Sequence, residues 1–190
     1  MTILVTGCAG FIGSNFVQTW LSSSDETVVN LDKLTYAGNL ANLKSLEGDK
    51  RHVFVQGDIG DRALVDKLLQ EHKPRAVLNF AAESHVDRSI HGPGDFIETN
   101  VMGTFNLLES VRAYWQELPE ADKQAFRFLH VSTDEVYGTL SPTDPPFAET
   151  KTYEELQSGD YAKAQSSPAD AVRVILSNRG TLFCPEMTVG

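Results

Sequence analysis

Short apolar runs alternate with stretches whose apolar residues recur at helical spacing. Ile3–Val5 is apolar and stops at Thr6-Gly7. Thr27-Val28-Val29-Asn30-Leu31 stops at Asp32, His52–Gln56 at Gly57-Asp58, Ala76–Phe80 at Ala81, and Phe126–Val131 just before Ser132-Thr133. Each run has strand length and reads as a buried strand. Between them, Phe11, Phe16, Val17, Trp20 and Leu21 follow a helical period, as do Leu64, Val65, Leu68 and Leu69 within Arg62–His72. Ile97, Val101, Phe105, Leu108 and Val111 mark a third helical stripe over Phe96–Trp115, expected to pack on the sheet and to offer a dimer face.

Strands that are apolar throughout belong to a parallel sheet covered on both faces. With right-handed crossovers, the pattern predicts an α/β fold with a doubly wound parallel sheet. Ligands of such sheets bind at the carboxyl ends of the strands. Gly7, Asp32, Asp58, Ala81–Ser84 and Thr133–Glu135 all follow strand ends, so they are expected along one edge. The character changes after Glu149. Residues 1–150 read as one domain, and 151–190 as a divergent or truncated tail.

Charge narrows the partners. The 190 residues carry a formal net charge of −10, which disfavours nucleic acid, because phosphate backbones require a basic face. No stretch reaches the roughly 18 consecutive apolar residues of a membrane span. No charged and apolar leader precedes the first strand. Cys8 and Cys184 form neither a disulfide framework nor a metal spacing, which predicts a reducing, cytoplasmic setting. His52, His72, His85, His91 and His130 have no zinc-type spacing, so no metal is expected. No Gly-x-Ser-x-Gly elbow supports a serine hydrolase.

Gly7-Cys8-Ala9-Gly10-Phe11-Ile12-Gly13 joins the first strand to the first helix. Gly7 permits the tight turn, Gly10 lets backbone approach a pyrophosphate, and Gly13 lets the helix pack near the sheet. The N–H groups opening the helix would face the phosphates. Asp32 would accept hydrogen bonds from the adenosine ribose and repel a 2′-phosphate, so NAD is expected rather than NADP. Lys33 beside it is a cation that would tolerate a phosphate. Asp58 is placed to meet the adenine. At the fifth strand end, the adjacent carboxyls of Asp134 and Glu135 read either as an acid–base pair or as a solvated turn.

The Gly-x-x-Gly-x-x-Gly spacing resembles the extended short-chain dehydrogenase/reductase family. Four blocks resemble its dTDP-glucose 4,6-dehydratase group: Asp32-Lys33-Leu34-Thr35-Tyr36-Ala37-Gly38-Asn39, Asn79-Phe80-Ala81-Ala82-Glu83-Ser84-His85-Val86-Asp87-Arg88-Ser89, Thr99-Asn100-Val101-Met102-Gly103-Thr104, and His130-Val131-Ser132-Thr133-Asp134-Glu135-Val136-Tyr137-Gly138. The resemblance covers roughly residues 1–150, which it marks as the NAD-binding domain, and it implies that the family's C-terminal substrate domain is missing or truncated here. It implies NAD contacts at Phe11, Ile12, Asp32, Lys33, Leu34, Thr35, Asp58, Ile59, Phe80, Ala81, Ala82, Glu83, Ser84 and Thr99, and nucleotide-sugar contacts at Ser84 and Thr133. It also implies oxidation of the sugar at C4, loss of water across C5 and C6, and return of hydride to C6. Asp134 would act as acid, Glu135 as base, and Thr133 would hydrogen-bond the C4 oxygen.

One expected feature is missing. The family's oxidation step uses a Tyr with a Lys four residues later, on one helical face. Here Tyr153 is followed at that distance by Gln157 and Tyr161 by Gln165, while Lys163 is only two residues past Tyr161. No catalytic Tyr or Lys is therefore assigned. Two rivals follow: a non-catalytic NAD-binding module, and a related epimerase or decarboxylase acting on another nucleotide sugar. Thr133-Asp134-Glu135 argues against the epimerase, which needs no acid–base carboxyl pair.

Overall fold

The computed structural model describes residues 1–85, 92–131 and Thr143. Among these residues, five strands form: β1 (Thr2–Thr6), β2 (Thr27–Asp32), β3 (His52–Gln56), β4 (Ala76–Asn79) and β5 (Arg127–His130). They form one sheet in the order β3-β2-β1-β4-β5, with every neighbouring pair parallel. From β1 the chain steps outward through β2 to β3, then crosses back to lay β4 on the other side of β1. That reversal leaves a crevice between the tips of β1 and β4, where doubly wound sheets hold their ligands.

Each strand divides its side chains by parity between two cores. Leu4, Val29, Leu31 and Val77 face one side, where they meet Val65, Leu68 and Leu69 of α2 (Arg62–His72) and Leu107, Val111 and Tyr114 of a later helix. Ile3, Val5, Val28 and Ala76 face the other side and meet Val17 and Leu21 of α1 (Phe11–Ser23). Leu43 and Leu46 join them from a 3₁₀ turn over Leu40–Leu46 that the apolar pattern did not predict. Burial on both faces is why these strands read as unbroken apolar runs. Asp61 caps α2 by accepting the Leu64 N–H at 3.1 Å, and Lys73 ends it in the left-handed region at φ 46°.

The single helix expected over Phe96–Trp115 is instead three segments. Pro93–Phe96 forms a short α3, Ile97–Gly103 is π-helical, and α4 runs over Thr104–Glu117. The wider π turn rotates the faces relative to a straight α-helix. The buried positions are Asn100, Gly103, Thr104, Leu107, Ser110, Val111 and Tyr114. Of the expected stripe, Val111 is buried, but Ile97 and Phe105 are 40% and 42% exposed. A short α5 (Glu120–Ala125) then leads into β5. Among the described residues, no helix is long and apolar enough to cross a membrane.

Candidate functional site

The tips of β1, β2, β3 and β4 carry the residues singled out above. Gly7 leaves β1 at φ 73°, a region that L side chains rarely adopt. A Cβ on Gly7 would lie 2.6 Å from the Ala81 nitrogen, and one on Gly13 would lie 2.5 Å from the Gly7 oxygen. These glycines therefore set how closely the loop passes β4 and how closely α1 seats on the loop. Gly10 is different: the nearest atom to its hypothetical Cβ is the Gly7 oxygen at 3.3 Å. Gly10 is the residue before α1, and no side chain caps the helix there. The helix start thus presents backbone N–H groups to the crevice, flanked by the exposed Phe11 and Ile12. Cys8 within the loop is fully buried. Burial pushes its thiol well up, Asp32 adding to the effect, so Cys8 packs as a neutral group.

Asp32 is brought against this loop. Its Oδ2 accepts the Ala9 N–H at 2.7 Å and its Oδ1 accepts the Leu34 N–H at 2.8 Å. Leu34 stands at φ 55°, an unusual backbone for leucine that this bond helps to hold. The carboxylate thus fixes the loop to β2, and each oxygen keeps a lone pair for a further donor. The segment after β2 is also tied to the glycine loop, the Ala9 oxygen accepting from the Asn39 N–H at 2.9 Å and the Asn42 Nδ2 at 2.8 Å. Lys33 and Thr35 are exposed, and Lys33 Nζ lies 2.6 Å from Asp58 Oδ2. Burial opposes the Asp58 charge, but hydrogen bonds from Lys33 and the Gly60 N–H outweigh it and hold the carboxyl below its usual range. The hydrogen bond to Asp58 raises the Lys33 ammonium in turn. Ile59 differs from its neighbours: it is buried in the core against Gly103.

Beyond β4, Phe80 packs against Phe16 with the rings tilted and their centroids 5.2 Å apart, Ala81 and Glu83 are half-buried, and Ala82 and Ser84 are exposed. Tyr36 and His85 approach to 6.1 Å between centroids, which brings the segments after β2 and β4 together across the crevice. Thr99 is half-buried on the π segment. Thr133, Asp134 and Glu135 lie outside the described residues, as do Tyr153, Tyr161, Lys163 and the rest of 151–190. Among the described residues, no group of His, Cys, Asp and Glu is arranged to hold a metal ion.

Four residues that frame this edge were given no site role from sequence. Asn100, in the π segment, accepts the Glu83 N–H through Oδ1 and donates to the Glu83 oxygen through Nδ2, both at 2.7 Å. It clamps the segment after β4 in two places. Thr6, Asn79 and His130 end β1, β4 and β5, and are linked sideways. The Thr6 hydroxyl donates to Asn79 Oδ1, Asn79 Nδ2 meets His130 Nδ1 at 2.9 Å, and the Ala81 N–H donates to Thr6 Oγ1 at 3.3 Å. Burial lowers the pKa of His130, keeping the imidazole neutral, so Nδ1 accepts from the amide. A polar residue closing the otherwise apolar Ala76-Val77-Leu78-Asn79 run was the available signal.

The arrangement offers uncapped N–H groups for an anion, a carboxylate with free lone pairs beside them, and a crevice between β1 and β4. Residues 4–178 match the family model described as GDP-mannose 4,6 dehydratase. A dTDP-glucose 4,6-dehydratase of Xanthomonas campestris pv. campestris (strain B100) is 64% identical over 165 residues, covering 87% of this chain and 46% of the relative. A crystal structure of a dTDP-glucose 4,6-dehydratase from Streptomyces venezuelae with NAD bound superposes with a TM-score of 0.72 at 41% identity, covering 92% of this chain and 48% of that one. A UDP-glucose 4-epimerase from Stenotrophomonas maltophila with bound NAD gives the same TM-score at 28% identity, covering 94% and 47%. The chain spans about half the length of the curated relatives it matches.

Proposed function

The chain belongs to the GDP-mannose 4,6-dehydratase family, and we propose that it carries the NAD-binding part of a dTDP-glucose 4,6-dehydratase. The observation that carries this reading is the meeting of Gly7–Gly13, the uncapped start of α1 and Asp32 at one corner of the β1/β4 crevice. These groups suit a dinucleotide: N–H donors for the pyrophosphate, and a carboxylate for the ribose hydroxyls. Gly10 leaves room for the phosphate to approach, and Phe11 and Ile12 flank it. Asp32, Lys33, Leu34, Thr35 and Asp58 border the adenosine end. Phe80–Ser84 and Thr99 border the nicotinamide end. Ile59 supports the site from the core. Bound NAD supplies a hydride acceptor for C4 of the sugar and a donor for C6.

With the Tyr-x-x-x-Lys pair absent, no group of this chain is assigned to take the C4 hydroxyl proton; the later steps fall to the chain's own groups. Ser84 and Thr133 hold the nucleotide sugar, dTDP-glucose, and Thr133 hydrogen-bonds the C4 oxygen. Glu135 takes the C5 proton, which a C4 ketone makes acidic, and Asp134 protonates the departing C6 hydroxyl. The product is a 4-keto-6-deoxy sugar nucleotide. The proposed cofactor domain is 1–150, with 151–190 outside it, and the free, buried Cys8 suits a cytoplasmic setting. The 64% identity to a dehydratase favours this substrate over that of the epimerase.

Calorimetric titration of the folded chain should show NAD uptake, and its absence would remove the reading. Incubation with NAD and dTDP-glucose should yield the 4-keto product. Uptake without product would favour a non-catalytic NAD-binding module, the reading raised by the missing Tyr-x-x-x-Lys. Where product forms, Glu135→Gln should slow dehydration by about 10²–10⁴-fold while NAD still binds. An unchanged rate would remove Glu135 as the base.

A homodimer is also proposed, on the apolar surface of the π segment and α4. Ile97, Met102 and Phe105 are each at least 40% exposed on consecutive turns. Burying such a patch against its own copy removes apolar area from water. Wild type should sediment as a dimer and Phe105→Asp as a monomer. A monomeric wild type at micromolar concentration would rule the dimer out.

A further inference from the structure

The Lys33–Asp58 ion pair sits at the adenosine end of the crevice, and its position asks for a role. Lys33 follows β2, Asp58 follows β3, and the two meet at 2.6 Å with side chains 50% and 33% exposed. A pair this open to water contributes little to stability. Its geometry is nevertheless fixed: the second Asp58 oxygen accepts the Gly60 N–H at 2.8 Å, so the carboxylate is held where the ammonium reaches it. The Lys33 charge also lies in the field of Asp95 and Glu98. Next to it, Asp32 keeps both carboxylate oxygens at the β2 tip, bound to the Ala9 and Leu34 N–H groups.

A cation directly after the ribose-facing acid is the group that could welcome a 2′-phosphate. In this chain Asp58 already neutralises it. A phosphate entering the corner must either break the Lys33–Asp58 contact, leaving Asp58 unpaired beside a dianion, or bind against Asp32 and Asp58 with no cation to offset them. A ribose hydroxyl meets neither difficulty. We infer that the Lys33–Asp58 pair is a specificity-determining element that rejects 2′-phosphorylated dinucleotides by keeping Lys33 engaged. The inference rests on the reading of Gly7–Gly13 as a dinucleotide loop.

The readout is the ratio of the NADP and NAD dissociation constants, measured on the full chain by calorimetry and by displacement of bound NAD. Asp58→Asn removes the carboxylate charge and frees Lys33, so it should lower the ratio by about tenfold or more. Lys33→Ala removes the cation and bares Asp58, so it should raise the ratio. The double variant should lose the gain made by Asp58→Asn. Asp58→Asn is the deciding variant, because removing the cation raises the ratio whether or not Asp58 engages it; Asp58→Ala takes its place if Asp58→Asn fails to fold. A merely structural pair would weaken both ligands together and leave the ratio unchanged. An unchanged ratio in variants that still bind NAD overturns the inference. Failure of the wild type to bind NAD overturns the cofactor reading instead.

Discussion

Gly7→Ala should destabilise the fold by about 3 kcal/mol, read as a fall in the urea midpoint at unchanged slope. The backbone there stands at φ 73°, where a Cβ alone costs roughly 1–2 kcal/mol. The added methyl would also lie 2.6 Å from the Ala81 nitrogen and 2.8 Å from Ala81 Cα and the Phe80 carbonyl carbon. These are backbone atoms, with no rotamer to relieve the contact, and overpacking of this kind costs about 1–3 kcal/mol. Relief requires β4's tip to draw away from β1. That strains the Phe80 N–H bond to the Thr6 oxygen at 3.2 Å and the Ala81 N–H bond to Thr6 Oγ1 at 3.3 Å. The substitution therefore reaches the crevice as well as the loop. Gly10→Ala is the companion measurement. Its Cβ meets only the Gly7 oxygen at 3.3 Å and the Ala37 oxygen at 4.0 Å, so stability should change by less than about 1 kcal/mol. The methyl would nevertheless occupy the surface on which the pyrophosphate rests, and NAD affinity should fall more than about tenfold. If Gly7→Ala were as stable as wild type, the close passage of loop and strand would be wrong. If Gly10→Ala bound NAD normally, the phosphate would not lie there.

The contrast between these two glycines bears on what the sequence could reveal. The order of strands and helices was legible because burial on both sheet faces leaves runs with no polar phase, and those runs end at chemistry-bearing residues. The corner formed by Gly7–Gly13 and Asp32 was legible for the same reason: in a parallel sheet every strand tip lies on one edge. The face of the π segment and α4 was not. Apolar spacing over 97–111 assumes 100° per residue, and the π turn at Ile97–Gly103 breaks that phase, turning Asn100 and Gly103 inward and Ile97 and Phe105 outward. The role of Asp32 was legible only in part. A ribose-binding acid and a turn acid are alternatives on paper, yet the carboxylate binds two backbone N–H groups and still has acceptor capacity. Lateral links were the least accessible, since Thr6, Asn79 and His130 are far apart in sequence and meet only once the strand order is known.

That lateral link carries the second large effect. Asn79→Leu should lower stability by about 2–5 kcal/mol, because it strands two groups at once. The Thr6 hydroxyl loses its acceptor and His130 Nδ1 loses its donor, each at roughly 1–3 kcal/mol when water cannot replace the partner. Adding Thr6→Val to Asn79→Leu should cost less than the two changes summed, since the valine removes the stranded hydroxyl. The same chain sets a pH dependence. Burial depresses the His130 pKa below that of an exposed imidazole, about 6.5. The unfolded chain then binds the proton more readily, so stability is fully present above about pH 6.5 and is lost as pH falls from there through the folded pKa. His52, also depressed mainly by burial, has the same sign, whereas the lowered carboxyls Glu26, Asp49 and Asp58 act at more acid pH. Urea unfolding at pH 7.5 and 5.5 therefore isolates the imidazoles, and His130→Gln should lose less stability between them than wild type. Equal losses would show that His130 does not carry the effect. Protonated Nδ1 becomes a donor facing the Asn79 amide donor. The one local remedy is to flip the amide, which turns its NH₂ toward a Thr6 hydroxyl that now donates to Asn79 Oδ1. Protonation at the end of β5 thus disturbs the tips of β1 and β4 together. Since His130 stands three residues before Thr133, the bond that steadies the crevice also anchors the strand leading to the proposed acid and base.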